Sequence, residues 1–226
     1  MDGLKDFSRI SPAIQSHLMR VYFSLFCILA ASAFGAYLHM RLNIGGTITK
    51  LGWVLSLLEH VVSCPPYKHK IRFSLLLLFG VLHGASVGPC IKSTIDIDSS
   101  ILITAFLGTA VIFFCFSAVA MLARRREYIY LGGLLSSGFS LLTWLKNSDQ
   151  FASATVEIQM YLGLLLFVGC IVVNTQEIIE KAHCGDMDYA VHSLILFIGF
   201  VRVFLQILSI MWNNSADRIR RNNGEN

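Results

Sequence analysis

Charge is scarce in this 226-residue chain: 14% of its residues are Asp, Glu, Lys or Arg, where a soluble domain has about 25%. The few charges are clustered, so long stretches carry none, while 55% of the residues are hydrophobic and the mean hydropathy is +0.64. Such a chain is an integral membrane protein. Catalytic signatures are missing too: there is no HExxH, no Walker loop and no GxGxxG. No Asp lies inside an apolar run, which removes the paired intramembrane carboxylates of an aspartyl protease. The chain therefore reads as a non-enzyme without a cofactor. Its six cysteines (27, 64, 90, 115, 170 and 184) form no CxxC pair. They read as small buried apolar residues, with neither a disulfide framework nor a metal site. The net charge of +4 comes from basic residues that punctuate apolar runs. That distribution speaks for membrane topology and against nucleic acid.

What is present is a series of apolar runs. Residues 1–20 are mixed and read as a cytosolic segment, with Ser11-Pro12 opening a short amphipathic helix on the membrane surface. Residues 21–38 form a first span, too long for a signal-peptide core. A weak second span covers 44–63, holds Lys50 and Glu59-His60, and stops at Pro65-Pro66. The third, 72–91, places Gly80, Gly84 and Gly88 on one face, so a neighbouring helix can approach its backbone. Further spans cover 101–123, 128–145, 158–173 and 190–212. The fold class is thus all-α: a membrane bundle over 21–212 of seven helices, or six plus a re-entrant segment. A polar, basic and frayed tail, 213–226, follows it.

Counting Lys and Arg places the N-terminal segment in the cytosol, together with the loops holding Lys68, Lys70 and Arg72 and holding Arg124, Arg125 and Arg126. Arg218, Arg220 and Arg221 of the tail oppose that bias, leaving the side of the tail open. The sixth span meets a lone amide at Asn174, then breaks into an acidic connector with Glu177, Glu180, Asp186 and Asp188. Glu177 and Lys181 are spaced for an i,i+4 pair. In the last span His192, Gly199, Arg202, Gln206 and Ser209 fall within an arc of about 100°. Such a stripe belongs in the bundle interior or along a water-filled cavity. Arg202 stands about 18 Å into that span. It either pairs inside with Glu157, Glu177, Glu59 or carbonyls, or reaches water through a membrane defect. His83 is a proton-sensitive group or a neutral, hydrogen-bonded histidine. His183, Asp186 and Asp188 form a weak surface calcium site or a solvated loop.

Several blocks carry a resemblance: ISPAIQSHLMRVY, ASAFGAYLH, GASVGP, SILITAFLGTA, MLARRREYIYLGGLLSSG, TQEIIEKAHCGDMDY and NNSAD. Together they resemble the Bax inhibitor-1 family in its plant form, over nearly the whole chain. The resemblance implies a helical bundle in the endoplasmic-reticulum membrane that suppresses programmed cell death and takes part in calcium homeostasis through a pH-sensitive leak of calcium ions. It places the family's two gating aspartates at Asn174 and Gly199, where both carboxylates are missing. Two close carboxylates share a proton and so sense pH; Asn and Gly do not titrate. The resemblance also puts His83 where plant relatives carry Glu, and a calmodulin-binding segment in the tail, which is short here. The reading is a divergent paralogue with an impaired or pH-insensitive leak; Arg202, His192, Gln206, His83 and Glu177 are the candidates for a pore stripe or gate. The alternatives are a non-conducting protein that acts through other membrane proteins, and a functionally decayed copy.

Overall fold

The computed structural model describes residues 12–42, 69–122, 127–146 and 154–224. Among them all regular structure is helical: α1 (Pro12–Leu42), α2 (His69–Ile97), α3 (Ser99–Leu122), α4 (Glu127–Lys146), α5 (Ala154–His183) and α6 (Tyr189–Gly224). Five of these, all but α4, are long and apolar enough to cross a bilayer. The chain is a multi-pass helical membrane protein, because a spanning helix satisfies its own backbone where lipid offers no partner. The expected second span, 44–63, and Arg124–Arg126 lie outside the described residues, so the count of seven is not reached.

The helices outrun the apolar runs that announced them. Pro12 occupies the start of α1, where its fixed φ suits a helix and no N–H is required. From there α1 continues unbroken into the span, so the residues from Pro12 on belong to the first span and not to a separate surface helix. Ile14, His17 and Leu18 are buried, which a helix lying on the membrane would not achieve. Helix α2 passes through Pro89 and ends at Ile97. Beyond that proline Ser93 and Thr94 turn their hydroxyls back to the carbonyls of Pro89 and Cys90. Glu177 and Glu180 are not in a connector: α5 runs to His183 and contains both. The tail is not frayed at residue 213, since α6 continues to Gly224.

The link between α5 and α6 is five residues long, 184–188, and closely bonded. Gly185 takes a left-handed φ of 92°, the conformation that ends a helix at low cost only in glycine. Asp186 Oδ1 accepts from the Asp188 N–H. Asp188 Oδ1 then accepts from the N–H groups of Ala190 and Val191, capping α6.

The chain folds as two compact units: Ile10–Ser99 with Gly185–Phe197, and Ser100–Cys184 with the remainder of α6 from Ile198. In the amino-terminal unit α1 and α2 pack side by side in parallel. Gly80 lies against Ile28 and Ala31, Gly84 against the Ser32 backbone, Gly88 against His39, and Gly35 against the Val81 backbone. The glycine face read from the sequence is thus where two backbones meet. Cβ atoms at Gly35 or Gly84 would overlap main-chain atoms, so these positions admit no other residue without separating the helices.

In the carboxy-terminal unit α4 and α5 run antiparallel, with Leu166 filling the space over Gly138 and Leu135 that over Gly169. Helices α3 and α6 are antiparallel as well. Phe106 and Phe113 meet Phe200 edge-on, and Ile101, Ala105 and Leu208 form a buried cluster. Gln176 of α5 is buried and donates its amide N–H to the Ala120 carbonyl of α3, satisfying both in an apolar setting.

Candidate functional site

In the carboxy-terminal unit α5 and α6 run antiparallel along a seam that carries Asn174, Gly199 and Gln206 of the residues singled out above. Asn174 and Gly199 face one another across it. A Cβ built on Gly199 would stand 3.9 Å from Asn174 Nδ2 and 4.0 Å from Ile171 Cγ1, which is ordinary contact. Gly199 is buried and Asn174 half-buried. Along the same seam Gln206 donates its amide to the Met160 carbonyl at 2.8 Å and closes over Gly163. Thr175, also buried, turns its hydroxyl to the Ile171 carbonyl at 2.8 Å.

The seam therefore offers amides and carbonyls. Of the described carboxylates on α5, Glu157 lies at the far end of the helix, and Glu177, three residues on from Asn174, pairs with Lys181 at 2.8 Å. That pair is about two-fifths exposed on each side, so it adds only about 0.3 kcal/mol. Amides and carbonyls are weaker ligands for hard cations than carboxylates.

Of the two readings of Arg202, the described residues fit the one that leaves it outside the packed interior, and Glu59, one of its expected partners, lies outside the described residues. Arg202 is exposed, its guanidinium carbon 6.0 Å from the centre of the Phe167 ring, and it has no ion pair among the described residues. The helical wheel gives the reason. The buried line of α6 passes through His192, Gly199, Val203 and Ile210, and Arg202 and Ser209 lie about 90° round from it at 100° per residue. The five polar positions share an arc, but only part of that arc is packed.

His192 belongs to the other unit. Its Nδ1 lies 2.9 Å from His17 Nε2, with the two rings edge-to-face and both side chains buried. Beside them Arg72 of α2 meets Asp188 Oδ2 at 2.5 Å, so one carboxylate caps α6 and holds α2. His17 and Arg72 were not singled out in the sequence, because one preceded the expected first span and the other read as a topology signal. His83 stands between the rings of Phe79 and Phe197, and its Nδ1 has no hydrogen-bond partner among the described residues. It is packed as an aromatic, not held as a hydrogen-bonded histidine.

The surface calcium site does not assemble either. His183 turns Nδ1 to the Ile179 carbonyl, Asp188 is committed to Arg72 and the cap, and no group of metal-ligand residues forms among the described residues. Gly84–Gly88 also spells G-x-S-x-G, the hydrolase elbow. That motif acts from a strand-to-helix turn, whereas these five residues continue α2, so the match is one of letters.

Similarity to known proteins covers both units. A family model described as inhibitor of apoptosis-promoting Bax1 matches residues 14–216. Bax inhibitor 1 of Arabidopsis thaliana is 60% identical over 220 residues, covering 96% of this chain and 89% of its own length. The rice protein of that name, from Oryza sativa subsp. japonica, is 53% identical over 96% of this chain and 88% of its own. The human protein is 38% identical over 96% and 94%. A helical membrane chain matched from its first described helix to its last, and most similar in this set to plant sequences, belongs to the Bax inhibitor-1 family as a plant-type member.

Proposed function

We propose that this chain is a seven-span suppressor of programmed cell death in the endoplasmic-reticulum membrane, with a calcium leak that is small and insensitive to pH. The cell-death role rests on the relatives, which are named for inhibition of Bax. The leak reading rests on one observation: the positions the resemblance assigns to a proton-sharing pair are in contact, and they hold an amide and a glycine. Two carboxylates at such a contact cannot both ionise cheaply, so one takes a raised pKa and the pair responds to pH. Asn174 and Gly199 have no proton to share. The reading assigns the chain no catalysis, and any calmodulin contact falls to the basic end of α6.

The seventh span draws support from the parallel packing of α1 and α2. With His39 beside Gly88, Leu42 ends near the far end of α2. A chain that resumes at His69 has come back about 30 Å, which is one hydrocarbon thickness.

The deciding experiment uses purified protein in calcium-loaded liposomes at about pH 6 and about pH 8. The native chain leaks slowly and equally at both. Asn174→Asp with Gly199→Asp restores a dependence on pH, and either change alone does less. A steep pH response in the native chain overturns the reading. Absence of leak from both native and double-variant protein favours the non-conducting alternative. The cell-death role has its own test: cells lacking the chain die more readily under endoplasmic-reticulum stress, and its expression reverses the difference.

A further inference from the structure

The amino-terminal unit contains a cavity of about 680 Å³, opening between the early part of α1, the first turns of α2 and the start of α6. Met19, Phe23, Phe73, Met187 and Tyr189 line it, and Arg20 is the only charged residue among its described lining. Its volume falls within the range of about 300–1,000 Å³ typical of small-ligand sites. Met19 is 75% exposed, Phe23 64% and Met187 43%, so the lining is apolar surface that no described residue covers.

Among the described residues two cations, Arg20 and Arg72, and two carboxylates, Asp186 and Asp188, stand at this end of the unit, and Asp186 accepts the Asp188 N–H. Arg72 is neutralised by Asp188, and Asp188 is also bound to two N–H groups of α6. Arg20 is exposed and forms no ion pair with a described residue. Its height follows from the packing of α1 on α2. Ile28 lies beside Gly80, and the same parallel register carried back two turns sets Arg20 level with Arg72, in the first turn of α2. Both α2 and α6 therefore begin near the level of Arg20, and their N-termini add partial positive charge there. Phe23 lies a turn deeper along α1, toward the apolar core of the membrane. One open cation at headgroup height, above an apolar groove leading inward, is complementary to an anionic amphiphile.

We propose that this groove binds an anionic phospholipid, with its phosphate on Arg20 and one acyl chain along Met19, Phe23, Phe73 and Met187. The guanidinium offers paired N–H donors to phosphate oxygens, a geometry lysine does not reproduce. The apolar walls then separate a lipid from a free anion, since inorganic phosphate gains nothing from them.

The test uses the full chain in neutral detergent, stripped of lipid, with thermal unfolding followed against added dioleoyl phosphatidylglycerol, dioleoyl phosphatidylcholine or inorganic phosphate. Phosphatidylglycerol is expected to stabilise saturably and more tightly than phosphatidylcholine, and inorganic phosphate to have no effect. Arg20→Gln weakens the phosphatidylglycerol midpoint about tenfold, Arg20→Lys weakens it less, and Arg218→Gln leaves it unchanged. Phe23→Ser weakens both lipids. Arg20 and Phe23 are exposed, so these variants fold. Three outcomes overturn the proposal: Arg20→Gln binding phosphatidylglycerol as the native chain does, inorganic phosphate stabilising equally, or a stabilisation that rises with protein concentration in the absence of lipid, which would assign the groove to a second copy.

Discussion

His17 and His192 share a hydrogen bond between two ring nitrogens, and burial leaves them little water to replace it. Removing one ring strands the nitrogen of the other, which costs about 1–3 kcal/mol, whereas removing both with apolar residues leaves neither stranded. His192→Leu and His17→Leu should each lower the unfolding temperature, and the double variant should recover much of the loss; strict additivity in a double-mutant cycle would show that the rings do not couple. Asp188 allows a similar dissection. Asp188→Asn keeps an acceptor for the α6 N-terminus but removes the charge facing Arg72. Asp188→Ala removes both, and the extra loss measures the cap at about 1 kcal/mol. Equal losses in thermal unfolding would mean that the cap contributes nothing.

Among the elements, the α1–α2 pair makes the sharpest claim. Gly84 meets the Ser32 backbone, while Gly108 of α3 has open space where a Cβ would go. Gly84→Ala should force the helices apart and reduce the yield of folded protein. Gly108→Ala should stabilise by about 0.5–1 kcal/mol through helix propensity alone. Thermal unfolding and size-exclusion elution in detergent report both, and a neutral Gly84→Ala would refute the close approach. This interface was half legible in the sequence. The spacing of Gly80, Gly84 and Gly88 showed which face of α2 was bare, but nothing there named α1 as its partner. Helix ends were less legible, because hydropathy marks where lipid stops and a helix continues past that point on its own hydrogen bonds. Glu177 and Lys181 pair at i,i+4 only because α5 is still helical there. The Asn174–Gly199 contact was legible only through the resemblance, since neither residue type signals a site. The sequence left Arg202 between two readings because the polar arc on α6 is wider than the line that packs.

At the scale of the whole molecule the open question is which compartment each end faces. The positive-inside bias of Arg124, Arg125 and Arg126 predicts a cytosolic loop, and a glycosylation acceptor inserted there should then stay unmodified; its modification would overturn that orientation. Cys184 gives a second reading. It is exposed in the α5–α6 link, on the cytosolic side if the chain crosses seven times from a cytosolic N-terminus. In a variant retaining only Cys184, a membrane-impermeant maleimide should label sealed microsomes whose cytosolic face is outward. Protection of Cys184 until detergent is added would reverse the orientation or change the number of crossings.

The His17–His192 bond joins residues 175 positions apart, and Arg72 likewise meets its carboxylate only near the end of the chain. A ribosome releases α1 and α2 long before α6 exists. During that interval a buried imidazole and a guanidinium wait in the membrane without the groups that satisfy them. The amino-terminal unit is therefore completed last, although most of it is made first, and an unfinished chain carries a polar flaw that quality control can detect. A chain stopped before residue 185 should insert its early helices and still be degraded quickly in a pulse-chase. Supplying α6 as a separate polypeptide should lengthen its lifetime, and His192→Leu in that added helix should shorten it again.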